Sequence, residues 1–183
     1  MNAPIDSIAI PAGARELSTA EISDALDALR LPGSVLGIGH VAGRARVFGP
    51  AYTVRYAPLD VAQPGTVGDY LDDTPEGSVV VLDNGGRVDC TVWGGILSQL
   101  AAHRGIAGTV IHGMCRDTAE AEQVHYPLYA CGRFMRTGKD RVQVDAVGET
   151  VSLAAVRVTA GDFIVGAEDG IVVVPRGRAT EVF

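Results

Sequence analysis

Apolar residues recur at helical spacing near the start of the chain, which predicts a helix there. The apolar stripe consists of Ile22, Ala25, Leu26 and Leu29. Ser18 or Thr19 can cap the first turn with a hydroxyl oxygen, and Pro32-Gly33 ends the pattern. The glycine-rich stretch 37–43 that follows shows no such period, so we expect a flexible loop there.

The next apolar positions indicate β-structure. Residues 45–56 read as a strand, and Gly49-Pro50 predicts a bulge or a break within it. Residues 64–76 are polar and acidic, which indicates a loop with a short helical turn. The apolar run 78–82 is typical of a strand that is buried on both faces.

The middle of the chain predicts two parallel strands connected by a helix. After the buried strand, a helix is expected from about Cys90 to His103, closed by Gly105. A strand over 107–111 follows, Gly113 breaks it, and a second helix starts at Asp117. A strand–helix–strand succession implies a right-handed crossover between parallel strands.

After Pro127 the pattern changes to short strands separated by turn residues. The predicted strands are 128–131, 142–145, 151–158, 163–165 and 171–174. The sequence contains neither a repeat nor a recognisable linker. We therefore predict one domain over residues 1–183, of the α/β class, with a mixed sheet and a β-rich C-terminal half.

Composition narrows the classes of partner. The 183 residues carry a formal net charge of -7, which argues against direct binding of nucleic acid because phosphate neutralisation needs a basic face. No apolar run is long enough to span a membrane, so we expect no membrane partner. The first residues lack the basic and apolar regions of a signal peptide, and we expect a cytoplasmic protein.

Glycine is over-represented, with 23 copies, and a paired-glycine stretch lies near the start of the helix that follows the buried strand. This stretch is Trp93-Gly94-Gly95-Ile96-Leu97. Glycines leave backbone N–H groups uncovered, and the amides at a helix N-terminus bind anions such as a carboxylate. Close packing of the helix on a strand explains the glycines equally well, and spacing alone does not decide between the two.

A second candidate site follows the strand 107–111, at Gly113-Met114-Cys115-Arg116-Asp117. Ligands of α/β sheets bind at the carboxyl ends of the strands. Here an arginine can hold a carboxylate, and an aspartate can hold a hard divalent cation. The alternative is an N-capping aspartate beside a surface arginine, and the spacing by itself favours that alternative.

Three stretches of the sequence resemble the RraA-like family. They are STAEISDALDAL at 18–29, GGRVDC-x-VWGGILSQLAAHRGIAGTVIHGMCRD at 85–117 and AEDGIVVVP at 167–175. The family includes the 4-hydroxy-4-methyl-2-oxoglutarate and 4-carboxy-4-hydroxy-2-oxoadipate aldolases, and the ribonuclease E inhibitor RraA. The resemblance implies the layered α/β/β sandwich of this family.

The resemblance also implies an activity and a site. It implies a metal-dependent (class II) pyruvate aldolase that cleaves a 4-hydroxy-2-oxo acid, with oxaloacetate decarboxylation as a companion activity. In such enzymes Arg116 would bind the pyruvyl group, and Asp117 would coordinate Mg²⁺ or Mn²⁺. The backbone amides of Gly94, Gly95, Ile96 and Leu97 would hold the substrate carboxylate. Relatives form trimers or dimers of trimers, with the site between subunits.

The lysine content agrees with a metal-dependent mechanism. Cleavage and decarboxylation of 2-oxo acids both pass through the pyruvate enolate, which a lysine Schiff base or a Lewis-acidic metal can stabilise. Lys139 is the only lysine, and it lies in the polar loop Thr137-Gly138-Lys139-Asp140, without the apolar surroundings that activate a Schiff-base amine. A Schiff-base mechanism is therefore disfavoured.

Three departures from the aldolases concern the substrate. Gly95 stands where they have an acidic residue that helps to hold the metal, and Asp83 or Asp89 could replace it. His112 stands where an acidic residue is common. The sequence stops at Phe183, whereas many aldolases continue into a C-terminal extension that adds an acidic residue to a neighbouring site. The missing extension argues against tricarboxylic substrates.

A different class of function remains open. RraA itself resembles these enzymes but binds a ribonuclease as a non-catalytic regulator, and an acidic surface suits that role. The regulator lacks the metal-binding aspartate, which this chain keeps as Asp117, so the sequence favours the enzyme. A methyltransferase activity is rejected because no glycine-rich S-adenosylmethionine loop precedes an acidic strand end.

Overall fold

The computed structural model describes residues 10–183. The prediction that the chain carries no signal peptide concerns in part residues 1–9, which lie outside the described residues. The helices are Thr19–Ala28 (α1), Gly95–His103 (α2), Thr118–Gln123 (α3) and Ala179–Val182 (α4). The strands are Ser34–Val35 (β1), Gly39–Ala42 (β2), Val47–Pro58 (β3), Val79–Thr91 (β4), Gly108–Cys115 (β5), Leu128–Arg133 (β6), Val142–Val147 (β7), Val151–Leu153 (β8), Val156–Val158 (β9), Phe163–Ala167 (β10) and Gly170–Val174 (β11).

Helix α1 forms where the apolar stripe predicts it. Ser18 caps it, since its Oγ accepts a hydrogen bond from the Glu21 N–H at 3.2 Å. The Glu21 carboxylate in turn accepts one from the Ser18 N–H at 2.8 Å, which completes a capping box. Ile22 and Leu26 of the stripe are buried, so α1 is held by its cap and by its packing on the sheet.

A nine-stranded mixed sheet forms the centre of the molecule. Its order is β1-β11-β10-β3-β4-β5-β6-β2, and β7 pairs with the far end of β3. The neighbours β3, β4, β5 and β6 run parallel, and every other pair in the sheet is antiparallel. The structure thus confirms the mixed sheet and the parallel unit in the middle of the chain.

Apolar side chains on both faces of the sheet pack against different layers. Helices α2 and α3 cover one face of the parallel strands, through a core that includes Leu82, Ala101, Ile111 and Ala121. The hairpin β8–β9 covers the other face, through Val151 and Val158. Helices α1 and α4 pack on the β10–β11 end of the sheet. The molecule is therefore an α/β/β sandwich, as expected.

Two predictions in the first third of the chain were wrong because strand pairing overrides the local signals. Within the expected loop 37–43, residues 39–42 form β2, which pairs with the outer edge of β6. Strand β3 continues through Gly49-Pro50, and its bulge lies further on, between Arg55 and Tyr56. Pro50 is tolerated because β4 pairs with β3 only from Ala51 onward, which leaves one edge of the strand free at the proline.

Further along, two strands are longer than predicted. Residues 90–91 belong to β4, so helix α2 begins at Gly95 and not near Cys90. Strand β5 continues through Gly113 to Cys115, with a shift in its register against β4. The predicted strand 151–158 is a hairpin of two strands. Because β4 and β5 extend further, they bring both candidate sites to the same edge of the sheet.

Candidate active site

The six site residues suggested by the sequence line one cavity of about 240 Å³. They are Gly94, Gly95, Ile96, Leu97, Arg116 and Asp117. The cavity lies beyond the carboxyl ends of β4 and β5, where the chain turns from each strand into a helix. Parallel strands place their carboxyl ends side by side, so the two segments meet although Arg116 follows Gly95 by 21 positions in the sequence.

The first turn of α2 presents backbone donors to this cavity. Gly94 has an extended backbone and precedes the helix. The Gly95 N–H donates to Asp117 Oδ2 at 3.2 Å, so this donor is already occupied. The Ser98 N–H donates to the Gly94 carbonyl at 3.1 Å. The N–H groups of Ile96 and Leu97 lie too early in the helix for an intrahelical acceptor, which leaves both for an anion.

A buried polar network holds the glycine turn in place. The Trp93 Nε1–H donates to Ser98 Oγ at 2.9 Å, and the Ser98 hydroxyl donates to the Gly94 carbonyl at 3.2 Å. Trp93 stacks on Tyr126 with ring centroids 5.9 Å apart. Ser98 is completely buried, so it links the indole to the backbone of the turn without competition from water.

Ser98→Ala is expected to lower the free energy of unfolding by about 1–3 kcal/mol, because it leaves the buried Trp93 N–H without an acceptor. Urea titration measures the change. Ser34→Ala is the matched control, since it removes an exposed hydroxyl that contacts Ser23 Oγ and should cost less than about 0.5 kcal/mol. Equal effects of the two substitutions would show that the network does not support the turn.

Arg116 and Asp117 occupy the turn between β5 and α3. The Arg116 N–H donates to the Trp93 carbonyl at 3.0 Å, which ties this turn to the glycine turn. Asp117 adopts a left-handed backbone conformation with φ 54°. Its side chain does not cap α3; its Oδ2 accepts from the Gly95 N–H instead. The structure therefore does not support the alternative in which Asp117 is an ordinary N-capping residue.

The two charged side chains stay accessible from the cavity. Arg116 Nε lies 3.5 Å from Asp117 Oδ2, and the side chains are 40% and 45% exposed. A Cβ atom on Gly94 would lie 2.9 Å from Asp117 Oδ2 and 3.3 Å from Arg116 Nε. A larger residue at position 94 would therefore displace the carboxylate, which explains the need for glycine at this point.

A carboxylate that the sequence reasoning did not consider, Glu120, faces the same turn. A Cβ atom on Gly95 would lie 3.0 Å from Glu120 Cγ and 3.2 Å from its Cδ. The side chain of Glu120 thus lies beside the position where the aldolases carry their acidic residue. The signal in the sequence was its spacing, since residues three apart on a helix share a face, and Glu120 follows Asp117 by three.

The two acids proposed as replacements for that residue are engaged elsewhere. Asp89 forms a bidentate pair with Arg87, at 2.8 and 2.9 Å. Asp83 accepts from the backbone N–H of Gly85 and of Ser152, each at 2.9 Å, and lies 3.3 Å from His112 Nδ1. These contacts make Glu120 the better candidate for the missing carboxylate.

The donor set fits a hydrated Mg²⁺ or Mn²⁺ ion better than zinc. Within residues 10–183 no three His, Cys, Asp or Glu side chains cluster as a metal site. Structural and catalytic zinc sites take three or four protein ligands, whereas Mg²⁺ keeps several waters and needs only one or two carboxylates. Asp117 lines the cavity, and the Glu120 side chain lies beside Gly95. Burial raises the pKa of the Cys115 thiol to about 11, so this neighbour of Arg116 stays protonated.

Basic residues line the two depressions beside the site, although the chain as a whole carries a negative net charge. Four of the 15 basic residues fall in the segment 133–141. Arg133 lines a shallow depression together with Arg116, and Lys139 lines a cavity next to the site. In the depression two arginines stand against one carboxylate, that of Asp117, and a local excess of positive charge raises the concentration of small anions there.

Comparisons with known proteins identify relatives of this chain. The RraA-like family profile, Aldolase/RraA, matches residues 19–173. DlpA of Legionella pneumophila is 38% identical over 169 residues, which is 90% of this chain but 27% of DlpA, so the chain spans about a quarter of that relative. The 4-hydroxy-4-methyl-2-oxoglutarate aldolase of Thermus thermophilus is 32% identical over 137 residues, covering 73% of this chain and 78% of the aldolase.

A solved structure extends the agreement to the backbone. The crystal structure of an uncharacterized protein from Pseudomonas syringae pv. tomato has a TM-score of 0.86 and 39% sequence identity. The match covers 96% of this chain and 85% of that one. In the described part of this chain, none of the helices has the length and apolarity needed to cross a membrane.

The family match includes the glycine turn and the Arg-Asp turn that together form the cavity. It also includes the capped first helix and most of the last strand of the sheet. On these grounds the chain belongs to the RraA-like family.

Proposed function

We propose that the protein is a divalent-metal-dependent lyase that cleaves a 4-hydroxy-2-oxo acid into pyruvate and a second carbonyl compound. One observation carries this proposal: Arg116, Asp117 and the free amides at the start of α2 meet in one cavity. The relatives named as 4-hydroxy-4-methyl-2-oxoglutarate aldolases support the same class of reaction.

The pyruvyl half of the substrate would bind at the first turn of α2. Its carboxylate would accept hydrogen bonds from the N–H groups of Ile96 and Leu97, which the helix itself leaves free. The positive end of the helix dipole favours an anion at this point. Arg116 would then lie beside the C2 oxygen, where it supplies a second, fixed positive charge.

Bond cleavage moves negative charge toward this arginine. When the C3–C4 bond breaks, the C4 hydroxyl gives its proton to a base or to water, C4 becomes a carbonyl, and the electron pair spreads from C3 to the C2 oxygen. A proton taken up at C3 from water then gives pyruvate. The Arg116 guanidinium stabilises that charge without reorganisation. Decarboxylation of oxaloacetate generates the same charge, so one arrangement serves both reactions. Asp117 and Glu120 would hold a divalent cation, which supplies Lewis acidity at the C2 oxygen when bound.

The position of the only lysine agrees with a metal-dependent rather than a Schiff-base reaction. Lys139 lines the neighbouring cavity, next to Asp140, and is exposed. A Schiff base needs an amine in the cavity that holds the C2 carbonyl and a lowered amine pKa, which apolar surroundings provide. Lys139 does not line the cavity that contains Arg116.

Exposed apolar residues beside the cavity support a homo-oligomer with the site near a subunit boundary. Ile96 is 83% exposed and Met135 is 75% exposed, and both lie at the cavity or at the adjoining depression. Apolar side chains this exposed are typical of surfaces that another chain covers. We propose a trimer or a hexamer on this basis, as in the family.

Pyruvate release tests the proposed reaction. The protein, treated with EDTA and then supplied with Mg²⁺ or Mn²⁺, is expected to form pyruvate from oxaloacetate and from 4-hydroxy-4-methyl-2-oxoglutarate. Excess EDTA should lower both rates at least about a hundredfold, because metal ions contribute several kcal/mol to stabilising the developing charge. A lactate dehydrogenase-coupled assay measures this, with the same metal solution lacking the protein as control.

Two outcomes would contradict the proposal. If neither substrate turns over with either metal, the chain is not an aldolase of this class, and the regulator function becomes the better hypothesis. The second outcome is that turnover persists in EDTA and that borohydride reduction leaves the substrate covalently attached to Lys139, which mass spectrometry detects. That result would show a Schiff-base mechanism.

A further inference from the structure

A second cavity, of about 520 Å³, adjoins the first. The two cavities share three residues in their walls, Val67, Gly68 and Leu97, which we call the neck. The first cavity, at about 240 Å³, is smaller than most small-molecule sites, which measure roughly 300–1,000 Å³. A substrate longer than pyruvate plus a small carbonyl product would have to extend beyond it.

The neck is formed by two elements packed closely together. One side is Leu97, on the first turn of α2, whose backbone N–H we propose as a donor to the substrate carboxylate. The other side is Val67-Gly68, at the end of the loop that follows β3. A Cβ atom on Gly68 would lie 3.2 Å from Leu97 Cδ2, so the loop already touches the helix at this glycine. A small shift of the loop would therefore change the width of the neck.

The loop is held at its neck end by a buried tyrosine. The Tyr56 hydroxyl donates to the Val67 carbonyl at 2.7 Å and lies 3.3 Å from the Tyr70 hydroxyl. Tyr56 and Tyr70 are both buried. Burial raises the pKa of Tyr56 above its usual range, so the hydroxyl keeps the proton that it donates. Elsewhere the loop is held by Gln143, whose side-chain oxygen accepts from the N–H groups of Asp60 and Gly65 at 2.9 and 3.0 Å.

We propose that the two cavities form one substrate site, in which the chain beyond C4 passes through the neck into the second cavity. We further propose that Tyr56 is a positioning residue that sets the width of this neck through Val67. The inference rests on the proposed function and deepens it: the natural substrate is a 4-hydroxy-2-oxo acid whose chain continues several carbons beyond C4.

The test compares a short and a long substrate. The short probe is 4-hydroxy-2-oxopentanoate, and the long probe carries a neutral pentyl chain on C4. The chain is neutral because the second cavity would repel an anionic one. Its walls contain one cation, Lys139, and three carboxylates, those of Asp69, Asp72 and Asp140. The wild-type protein is expected to have a KM about tenfold lower for the long probe, since its chain buries apolar surface at Val67 and Leu97.

Tyr56→Phe is expected to raise the KM of the long probe about five- to tenfold, while kcat and the KM of the short probe change less than about twofold. Tyr129→Phe is the matched control. It also removes a buried phenol hydroxyl, which contacts the carbonyls of Ala45 and Ala167 on the opposite face of the sheet. This control should leave the ratio of the two KM values unchanged. A ratio that changes equally in both variants would overturn the role of Tyr56.

A third measurement separates this inference from the proposed function. Exchange of the C3 protons of pyruvate with D₂O requires only the first cavity and a metal ion, and NMR detects it. No exchange in the wild type would contradict the proposed function itself. Exchange together with equal KM values for both probes would overturn the two-cavity site and leave the proposed function standing.

Gly68→Ala keeps the inference testable if Tyr56→Phe unfolds. Gly68 has a negative φ of −151°, outside the left-handed region that favours glycine, and the new methyl would lie 3.2 Å from Leu97 Cδ2. It should narrow the neck and lower kcat/KM for the long probe at least about fivefold more than for the short one. Equal effects on both probes would overturn the inference.

Discussion

Asp117→Asn is expected to lower the rate of pyruvate formation about a thousandfold at saturating Mg²⁺. Asp117 is the carboxylate that faces both Gly95 and Arg116, and we propose that it holds the metal ion. A neutral amide at this position removes a full negative charge from the site. Several kcal/mol of metal-derived stabilisation corresponds to roughly this factor in rate.

Asparagine isolates the charge better than alanine does. Asp117 has φ 54°, and asparagine tolerates this left-handed conformation, whereas alanine would add backbone strain. The amide oxygen of asparagine can still accept the hydrogen bond from the Gly95 N–H, so the two turns should stay together. A loss of activity in Asp117→Asn would therefore report the missing charge and not a collapsed site.

Asp145→Asn is the matched control for this substitution. Asp145 also pairs with an arginine Nε, that of Arg55 at 2.8 Å, and its side chain is 44% exposed, against 45% for Asp117. The Asp145→Asn variant should form pyruvate at a rate within about twofold of wild type, because a surface ion pair contributes little to stability. Binding of Mn²⁺, followed by electron paramagnetic resonance, should weaken in Asp117→Asn only. Full activity with undiminished Mn²⁺ binding in Asp117→Asn would remove this residue from the metal site.

The sequence predicted those parts of the site that depend on neighbouring residues. Helix α1 followed from its stripe and from the hydroxyl of Ser18, since a capping box is complete within four residues. The two turns of the site followed from short motifs at the ends of apolar strands. Local chemistry decided these features, and the structure has them close to where the motifs lie.

The parts that depend on strand pairing were not predictable in this way. The partner of Asp117 Oδ2 is the Gly95 N–H, 22 residues away, and this contact depends on how far β4 and β5 extend. Capping rules consider only the next turn of the helix, so they favoured an N-cap for Asp117. Gly49-Pro50 was expected to interrupt β3 for the same reason, whereas pairing with β10 carries the strand through both residues.

The resemblance to the aldolases did not identify Glu120 as a carboxylate beside Gly95. Attention to the missing acid at Gly95 led to Asp83 and Asp89, which lie near it in the sequence. The structure instead places the side chain of Glu120 at Gly95, across the gap between α2 and α3. Proximity in the fold, and not in the chain, decides which carboxylate can compensate.

Arg116→Lys is expected to lower kcat/KM for pyruvate-forming substrates about a hundredfold, although it keeps the positive charge. The guanidinium offers several donors in a fixed plane, which suits the adjacent oxygens of a 2-oxo acid, whereas an ammonium group is a point charge on a flexible chain. Loss of one well-placed donor to a developing oxyanion costs about this factor. Steady-state kinetics with oxaloacetate at saturating Mg²⁺ measures the change.

Arg55→Lys is the control, since Arg55 is 44% exposed and pairs with an aspartate as Arg116 does, at 40% exposure. Its kcat/KM should match the wild type. In Arg116→Ala, added guanidinium ion should restore part of the lost activity, because the cavity left by the side chain opens toward solvent. Rescue by added guanidinium ion would show that the planar cation acts on the substrate directly. A kcat/KM in Arg116→Lys within threefold of wild type would instead mean that charge alone is sufficient, and that carboxylate recognition resides in the amides of Ile96 and Leu97.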